Sequence, residues 1–547
     1  MKPINLTKQR REPKSVLHRA EWLAAALLSA AVAGLHLLFL RHAGGLWRDE
    51  VVSFNIANQP SLLETWGSVW HDSFPALFHS VLRAWIGLGL GAADADIRLL
   101  GFIIGLSLLG AFWWNGRALG YRVPLLSLAL FGLSGLAVRW VDSIRAYGLG
   151  ILFMTLTVGC VWRVVAVPSA RNIFLAGLAA LLSVQALYQN AFILLAVCLG
   201  GLAVAARRRL WRPAAAVAGI GLTAALSLAV YQGTLLRMGE LRPLLAPGVT
   251  FARLSRVFIT ALSDGGRFMP WVWFALAAGL LAVSLRAQFV PGVSDERRGF
   301  RDLALFAAVT AAAALAGFLA WLKTMGMPAQ PWYFLPLLAP LAVLLDAVFA
   351  AAPGARAVRL SVAAAAALLV TWGGVRSVQA RQTNIDLLAG QLEKLSVKGD
   401  LILVDPWYCG ATFSRYYKGA AAWTTLPPLE DQTLQRVELV KEYMAAAKPI
   451  EPVLLKIGAA LRAGRRVWLV GDLPVFRPGQ PPPDLPPAPA SAWGWNHGVY
   501  SQVWAAQAAY FIRTRSLRAR TLNVPAGGPV SVYENLPLIE AEGWKKP

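Results

Sequence analysis

Charge is scarce in this chain. Asp, Glu, Lys and Arg make up 15% of its 547 residues, against about 25% in an ordinary soluble domain. There are three cysteines, Cys160, Cys198 and Cys409. Two of them fall inside apolar runs, so neither a disulfide framework nor a cysteine-based metal site follows. No internal repeat, Walker motif or dinucleotide fingerprint is present, and GDLILVDP (399–406) lacks the glycines of a phosphate loop. Acidic residues are the scarcer charge, 29 against 52 basic, for a net charge of +23. In a soluble protein that excess would suggest nucleic acid. Here Lys and Arg fall mostly between apolar runs, where they orient helices across a membrane.

Apolar residues are plentiful: 57% of the chain, with a mean hydropathy of +0.52. Runs long enough to cross a bilayer recur at 22–41, 98–116, 123–141, 147–166, 173–188, 190–206, 213–231, 268–285, 302–322, 332–350 and 358–375. Arginines cluster in alternate connections: Arg117 and Arg122, Arg163 and Arg171, Arg207 to Arg209 with Arg212, Arg286 with Arg297, Arg298 and Arg301, and Arg356 with Arg359. This is the positive-inside pattern, and with about eleven spans it puts the N-terminus in the cytoplasm and the C-terminal region on the far side. The N-terminus itself, MKPINLTKQRREPKSVLHR, is basic. The run after it ends on Arg41-His42-Ala43-Gly44 and is longer than a cleaved signal's, so it reads as an uncleaved first span. The stretch 75–91 is apolar but holds His79 and Arg83. If it crossed, every later connection would invert, so it is expected to be an interfacial or re-entrant helix.

The composition changes near Arg376. GDLILVDPWY (399–408) and RRVWLVGDLPVF (465–476) read as buried strands, 431–463 has helical spacing, and 477–491 is a Pro-rich loop. Strands alternating with helices predict a small α/β domain over 380–547, following a membrane domain over 1–379.

The densest chemistry lies in the first external connection (42–97), in LWRDEVVSFNIANQPSLLETWGSVWHDSFP (46–75). Asp49-Glu50 could be a solvated pair, or a carboxylate base beside an acceptor hydroxyl. His71-Asp72 before Pro75 could be helix entry, with Asp72 or Ser73 as cap, or contacts to a substrate. Arg98, Arg145 and Lys323 sit at expected outer ends of spans. They are either snorkelling residues or cations for a lipid-borne phosphate, to which Arg gives bidentate contacts. Trp332-Tyr333 could be interface anchors or a surface for a sugar or head group.

Taken together, these residues resemble the GT-C glycosyltransferases, in the branch of protein mannosyltransferases and lipid A aminoarabinose transferases. The resemblance covers about 20–375 and rests on five elements in order: Asp49-Glu50 in LWRDEVVSFNIA, HDSFPALFHSVLRAW with Pro75, Arg98 in DIRLLGFIIG, Ser143, Arg145 and Tyr147 in DSIRAY, and YFLPLLAP from Tyr333 to Pro340. Trp332 stands where many members have Arg. The resemblance implies an α-helical polytopic membrane protein of GT-C fold, with about 11–13 transmembrane helices and a C-terminal α/β extra-membrane domain. It implies an inverting transfer from a polyprenyl-phosphate-linked sugar to a glycan, lipid or protein acceptor, on the periplasmic face of a bacterial inner membrane. Asp49 inherits the role of base and Glu50 a supporting one. Glu50, His71 and Asp72 become supporting candidates for acceptor or metal contact. Arg98, Arg145 and Lys323 become candidates for the donor phosphate, and Tyr147 and Tyr333 further substrate-binding candidates. No closed ligand set is visible, so a divalent cation is left open and no metal-binding residue is assigned. The readings from other classes are a transporter or flippase of lipid-linked saccharide, for which repeats and broken helices would be expected, and a non-enzymatic scaffold, for which Asp49 would be dispensable.

Overall fold

The computed structural model describes residues 16–245, 249–289, 294–326, 328–352, 354–472, 474 and 479–546. The basic stretch 1–15 and the end of the strand-like run 465–476 lie outside the described residues. The chain divides into two compact units.

The first unit comprises Met1–His42, Phe74–Gly233 and Val249–Gln379. It is helical. Among the described residues of the chain, nine helices are long and apolar enough to cross a membrane: Val16–His42, Asp94–Ala118, Tyr147–Ala166, Asn190–Arg207, Trp211–Leu244, Met269–Phe289, Arg297–Met325, Pro331–Ala351 and Arg356–Val378. Two further expected spans take other forms. Ala170–Ala186 is a shorter apolar helix. The run 123–141 is broken into a π-helix, Ser127–Gly132, and a short α-helix, Gly135–Val141. The stretch 75–91 forms a helix over Leu77–Gly87, 11 residues long. At about 1.5 Å per residue this is roughly half of what a bilayer core needs.

The break in 123–141 has a physical cause. Asp346 is fully buried and accepts hydrogen bonds from Leu126 N (2.9 Å), Ser127 N (2.7 Å) and Ser127 Oγ (2.8 Å) at the start of the π-helix. Asp264 does the same for the next helix, accepting from Leu136 N at 2.8 Å and Ser134 Oγ at 2.5 Å. Each carboxylate meets orphan N–H groups and the positive end of a helix dipole. Asp346 is balanced by Arg359, whose Nη2 lies 3.1 Å from it and whose Nη1 lies 2.6 Å from Glu21. Arg359 is only 3% exposed. It belongs to this buried cluster and is not a surface member of an orienting arginine pair.

Close approach explains two glycines. A Cβ on Gly101 would lie 1.9 Å from the Asp142 carbonyl oxygen, and one on Gly105 would lie 2.2 Å from Asp142 Oδ1. Their i, i+4 spacing gives the Asp94–Ala118 helix a smooth face. The segment carrying Asp142, Ser143, Arg145 and Tyr147 lies against that face, and His36 Nδ1 closes on Asp142 at 2.8 Å.

The second unit comprises Ala43–Ser73, Thr234–Gly248 and Ala380–Pro547. By packing, the segment that bears Asp49 therefore groups with the C-terminal region. The unit is built on a five-stranded sheet of β1 (Leu401–Val404), β2 (Ala422–Thr425), β3 (Val467–Val470), β4 (Ser516–Leu522) and β5 (Leu538–Trp544), in the order β2-β1-β3-β5-β4. β1 pairs parallel with both β2 and β3, whereas β5 runs antiparallel to β3 and to β4. β1 and β3 are buried along their whole length, which is why both read as unbroken apolar runs. One face of the sheet packs Leu401, Leu403, Val467 and Leu469 against helices that include Val453, Ile457 and Trp504. The other packs Ile402, Val404, Trp468 and Val470 against Leu388, Leu392 and Phe413. The helical stretch 431–463 resolves into Val437–Ala445 and Glu451–Arg462, the second carrying Pro452 in its first turn.

Candidate functional site

The helix Arg48–Ala57 opens with Asp49 and Glu50 in its first turn, where the dipole favours negative charge. The two carboxylates have different surroundings. Glu50 is fully buried and its Oε2 accepts from Trp47 N at 3.3 Å, capping its own helix. Asp49 keeps 22% of its side chain exposed, and its Oδ1 accepts from Gln435 Nε2 at 2.8 Å with Arg48 Nε at 3.5 Å. The pair therefore divides into an accessible carboxylate and a buried cap.

Asp72 is 4% exposed. It accepts from Ser53 Oγ and from Ser73 N, both at 2.9 Å. It thus ties the end of the connection back to the helix that carries Asp49. His71 stacks on Trp70 with ring centroids 3.7 Å apart, and its Nδ1 lies 4.0 Å from Glu438 Oε2. Burial pushes the His71 imidazole below its usual pKa, against the opposing pull of the Glu438 carboxylate.

Behind the Asp49 helix sits a group with no signal in the sequence. Glu534 is 1% exposed. It accepts from Thr412 Oγ1 at 2.7 Å and from Arg48 N, the first residue of the helix, at 3.1 Å. Burial pushes its carboxyl up to about 7, even though Arg48 and Thr412 favour the charged form. The Arg48 guanidinium lies over the Tyr408 ring at 4.3 Å and donates to Tyr533 O at 3.2 Å. Asp405, at the end of β1, is also pushed up to about 7, by burial and then by Asp472. Gln435, Glu438, Thr412 and Glu534 are isolated polar residues in sequence. Only the folding of the C-terminal region onto Ala43–Ser73 marks them.

Within the first unit, Arg145, Tyr147 and Tyr333 come together. Arg145 lies over the Phe74 ring at 4.6 Å, and Tyr147 meets the edges of Phe74 (5.1 Å) and Trp140 (5.6 Å) and stacks with Tyr333 at 6.2 Å. Trp332 stacks on Trp140 at 3.8 Å and extends an aromatic wall. Arg98 is 3% exposed and lies within electrostatic reach of Asp142, 6.0 Å from the Phe39 ring. Lys323 donates to Val249 O at 2.7 Å and sits 5.4 Å from the Phe251 ring. Arg98 thus faces the Asp142 carboxylate, and Lys323 the Val249 carbonyl. Among the described residues, no group of three or more His, Cys, Asp or Glu side chains could hold a metal ion.

No protein-family model matches the chain, and no curated protein matches it. Among solved structures, it is similar to ArnT from Cupriavidus metallidurans bound to undecaprenyl phosphate, at 14% identity over 82% of this chain and 93% of that one, with a TM-score of 0.49. It is similar to the archaeal oligosaccharyltransferase AglB from Archaeoglobus fulgidus in complex with an inhibitory peptide and a dolichol-phosphate, at 12% identity over 82% and 69%, TM-score 0.44. It is also similar to the arabinofuranosyltransferase AftD from Mycobacteria, at 16% identity over 95% and 40%, TM-score 0.42.

Proposed function

We propose that this protein is an inverting membrane glycosyltransferase that takes a sugar from a polyprenyl-phosphate donor, with Asp49 as its general base. The observation that carries the reading is the division of the acidic pair. Glu50 is consumed as a buried cap, while Asp49 stands in the first turn of the same helix, partly exposed and oriented by a neutral amide. Asp49 takes the proton of the acceptor hydroxyl as its oxygen attacks the anomeric carbon. The carbon–oxygen bond to the donor breaks with its electron pair leaving on the polyprenyl phosphate. The configuration inverts and no covalent sugar–enzyme intermediate forms.

Glu50 supports Asp49 through the helix, and His71 and Asp72 shape the acceptor side. Arg145 is the proposed phosphate contact, because its fork suits two phosphate oxygens and its aromatic surroundings are poor in water. Tyr147 and Tyr333 belong to the same substrate-binding set, together with Arg98 and Lys323. The acceptor is a glycan, lipid or protein of the envelope. The protein is assigned to a bacterial inner membrane, with its N-terminus cytoplasmic and its C-terminal region periplasmic.

The test uses the purified protein and the tritium-labelled polyprenyl-phosphate-sugar fraction of the producing cells' membranes. Asp49→Asn keeps the size of the side chain and removes its basicity. It is expected to lower turnover by about 10²–10⁴-fold, the usual worth of general-base assistance, while the donor still binds. Transfer at the normal rate would refute the assignment.

A further inference from the structure

We infer that residues 431–438 form a strap across the first connection and that Gln435 on this strap is the positioning residue of Asp49. The inference rests on the reading of Asp49 as the base. It goes further by assigning part of the catalytic apparatus to the C-terminal region.

The strap is ordered from within. Asp431 Oδ1 accepts from Thr433 N at 2.8 Å and from Thr433 Oγ1 at 2.6 Å, closing a tight turn. Arg436 then bridges Asp431 and Glu438. This brace holds the backbone of Gln435 whether or not Gln435 touches anything else.

The braced strap is fastened to the connection along its length. Asn55 Nδ2 donates to Thr433 O at 2.7 Å. Gln435 Nε2 donates to Asp49 Oδ1 at 2.8 Å. His71 reaches the Gln435 backbone and, more loosely, Glu438. These contacts grip both the helix of Asp49 and the far end of the connection, so the strap fixes the two ends relative to each other.

An amide is chemically suited to this place. Arg48 Nε already lies 3.5 Å from the same oxygen, and a second Lys or Arg in the place of Gln435 would hold the carboxylate still more strongly in its charged form and weaken it further as a base. An amide N–H fixes the carboxylate's direction without adding a charge. Arg48 on its own helix and Glu534 behind it are among the charged groups near Asp49, and they are of opposite sign.

Three variants test this in the full-length protein: Gln435→Ala, Gln435→Glu and Asp49→Asn. Turnover is followed with the tritium-labelled polyprenyl-phosphate-sugar fraction. Labelling of Asp49 by a water-soluble carbodiimide, read by peptide mass spectrometry, gives a second readout that needs no substrate. Gln435→Ala is expected to lower kcat by about 10- to 100-fold, the worth of a hydrogen bond to a charged group, with KM for the donor unchanged. Gln435→Glu, nearly isosteric, is expected to lose more, because it sets a second carboxylate against the first. Carbodiimide labelling of Asp49 should rise in both. On the Asp49→Asn background, Gln435→Ala should cost nothing further.

Equal stability of the variants by thermal melting separates positioning from folding. If Gln435→Ala unfolds, the isosteric Gln435→Glu carries the comparison. Normal kcat and normal Asp49 labelling in the Gln435 variants, with Asp49→Asn inactive, would overturn the strap and leave the base in place. A fully active Asp49→Asn would overturn both.

Discussion

Replacing Glu534 by Gln should stabilise the second unit at alkaline pH relative to acid. Glu534 titrates near 7 in the folded protein, against 4.5 for the ordinary side chain. The folded state therefore holds a proton that the unfolded chain gives up earlier. The stability this confers is complete below 4.5 and is lost as pH rises through 7, above which the loss stays constant. At pH 8.5 the ionised carboxylate costs the folded state about 3.4 kcal/mol relative to strong acid, and at pH 5.5 about 1.4 kcal/mol. Roughly 2 kcal/mol thus falls between the two. Glu534→Gln retains an oxygen that can accept from Thr412 or Arg48 and has no proton to lose. Asp405 loses stability in the same direction, but it is common to both proteins and cancels in their difference. The assay is peptide-resolved alkylation of Cys409, which is 1% exposed and reacts only when the unit opens, measured for wild type and variant at each pH in a urea series. The variant's opening free energy relative to wild type should be about 2 kcal/mol more favourable to the folded state at pH 8.5 than at pH 5.5. A difference between variant and wild type that is independent of pH, or that favours the folded variant more at pH 5.5 than at pH 8.5, would refute the argument.

Two structural predictions concern the first unit. Arg359→Ala strands Asp346 as a buried charge and leaves Glu21 with only Arg356, 4.0 Å away. It should cost about 3–5 kcal/mol, seen as a lower melting temperature in detergent, and an unchanged melt would dissolve the proposed cluster. Gly101→Ala drives a methyl into the Asp142 carbonyl, a backbone atom that cannot rotate away, and should cost about 1–3 kcal/mol. Gly110→Ala, on the same helix with nothing within 4 Å of the point where its methyl would stand, should be neutral or mildly stabilising, and equal effects of the two would contradict the close approach.

β1 and β3 are legible because burial on all sides leaves an uninterrupted apolar pattern. Most of the spans are legible for another reason: although only partly buried, they are apolar over a bilayer-crossing length. β4 and β5 were missed because their pairing is carried by charge. Arg520 sits opposite Glu540 and Arg518 opposite Glu542, so β4 reads as a polar stretch with little apolar alternation. The broken run 123–141 was equally hidden. Its sequence is continuously apolar, and the carboxylate that interrupts it, Asp346, lies 219 residues from Ser127.

The acidic pair marks the limit of what local sequence can say about chemistry. Asp49 and Glu50 are adjacent, similarly charged and equally placed for a helix N-terminus, and the motif alone allows either to act on a substrate. Their difference comes from partners at very different distances along the chain. Glu50 is fixed by the backbone three residues before it. Asp49 is held by a side chain 386 residues later. A local contact of the first kind can form as soon as the helix forms, so it engages one Glu50 oxygen early. The distant contact exists only when the C-terminal region has packed onto the connection. If Gln435 orients Asp49, the base is completed by a residue 386 positions further along the chain, and a chain truncated before residue 431 would keep its acidic pair and lose the orientation that makes one member of it a base.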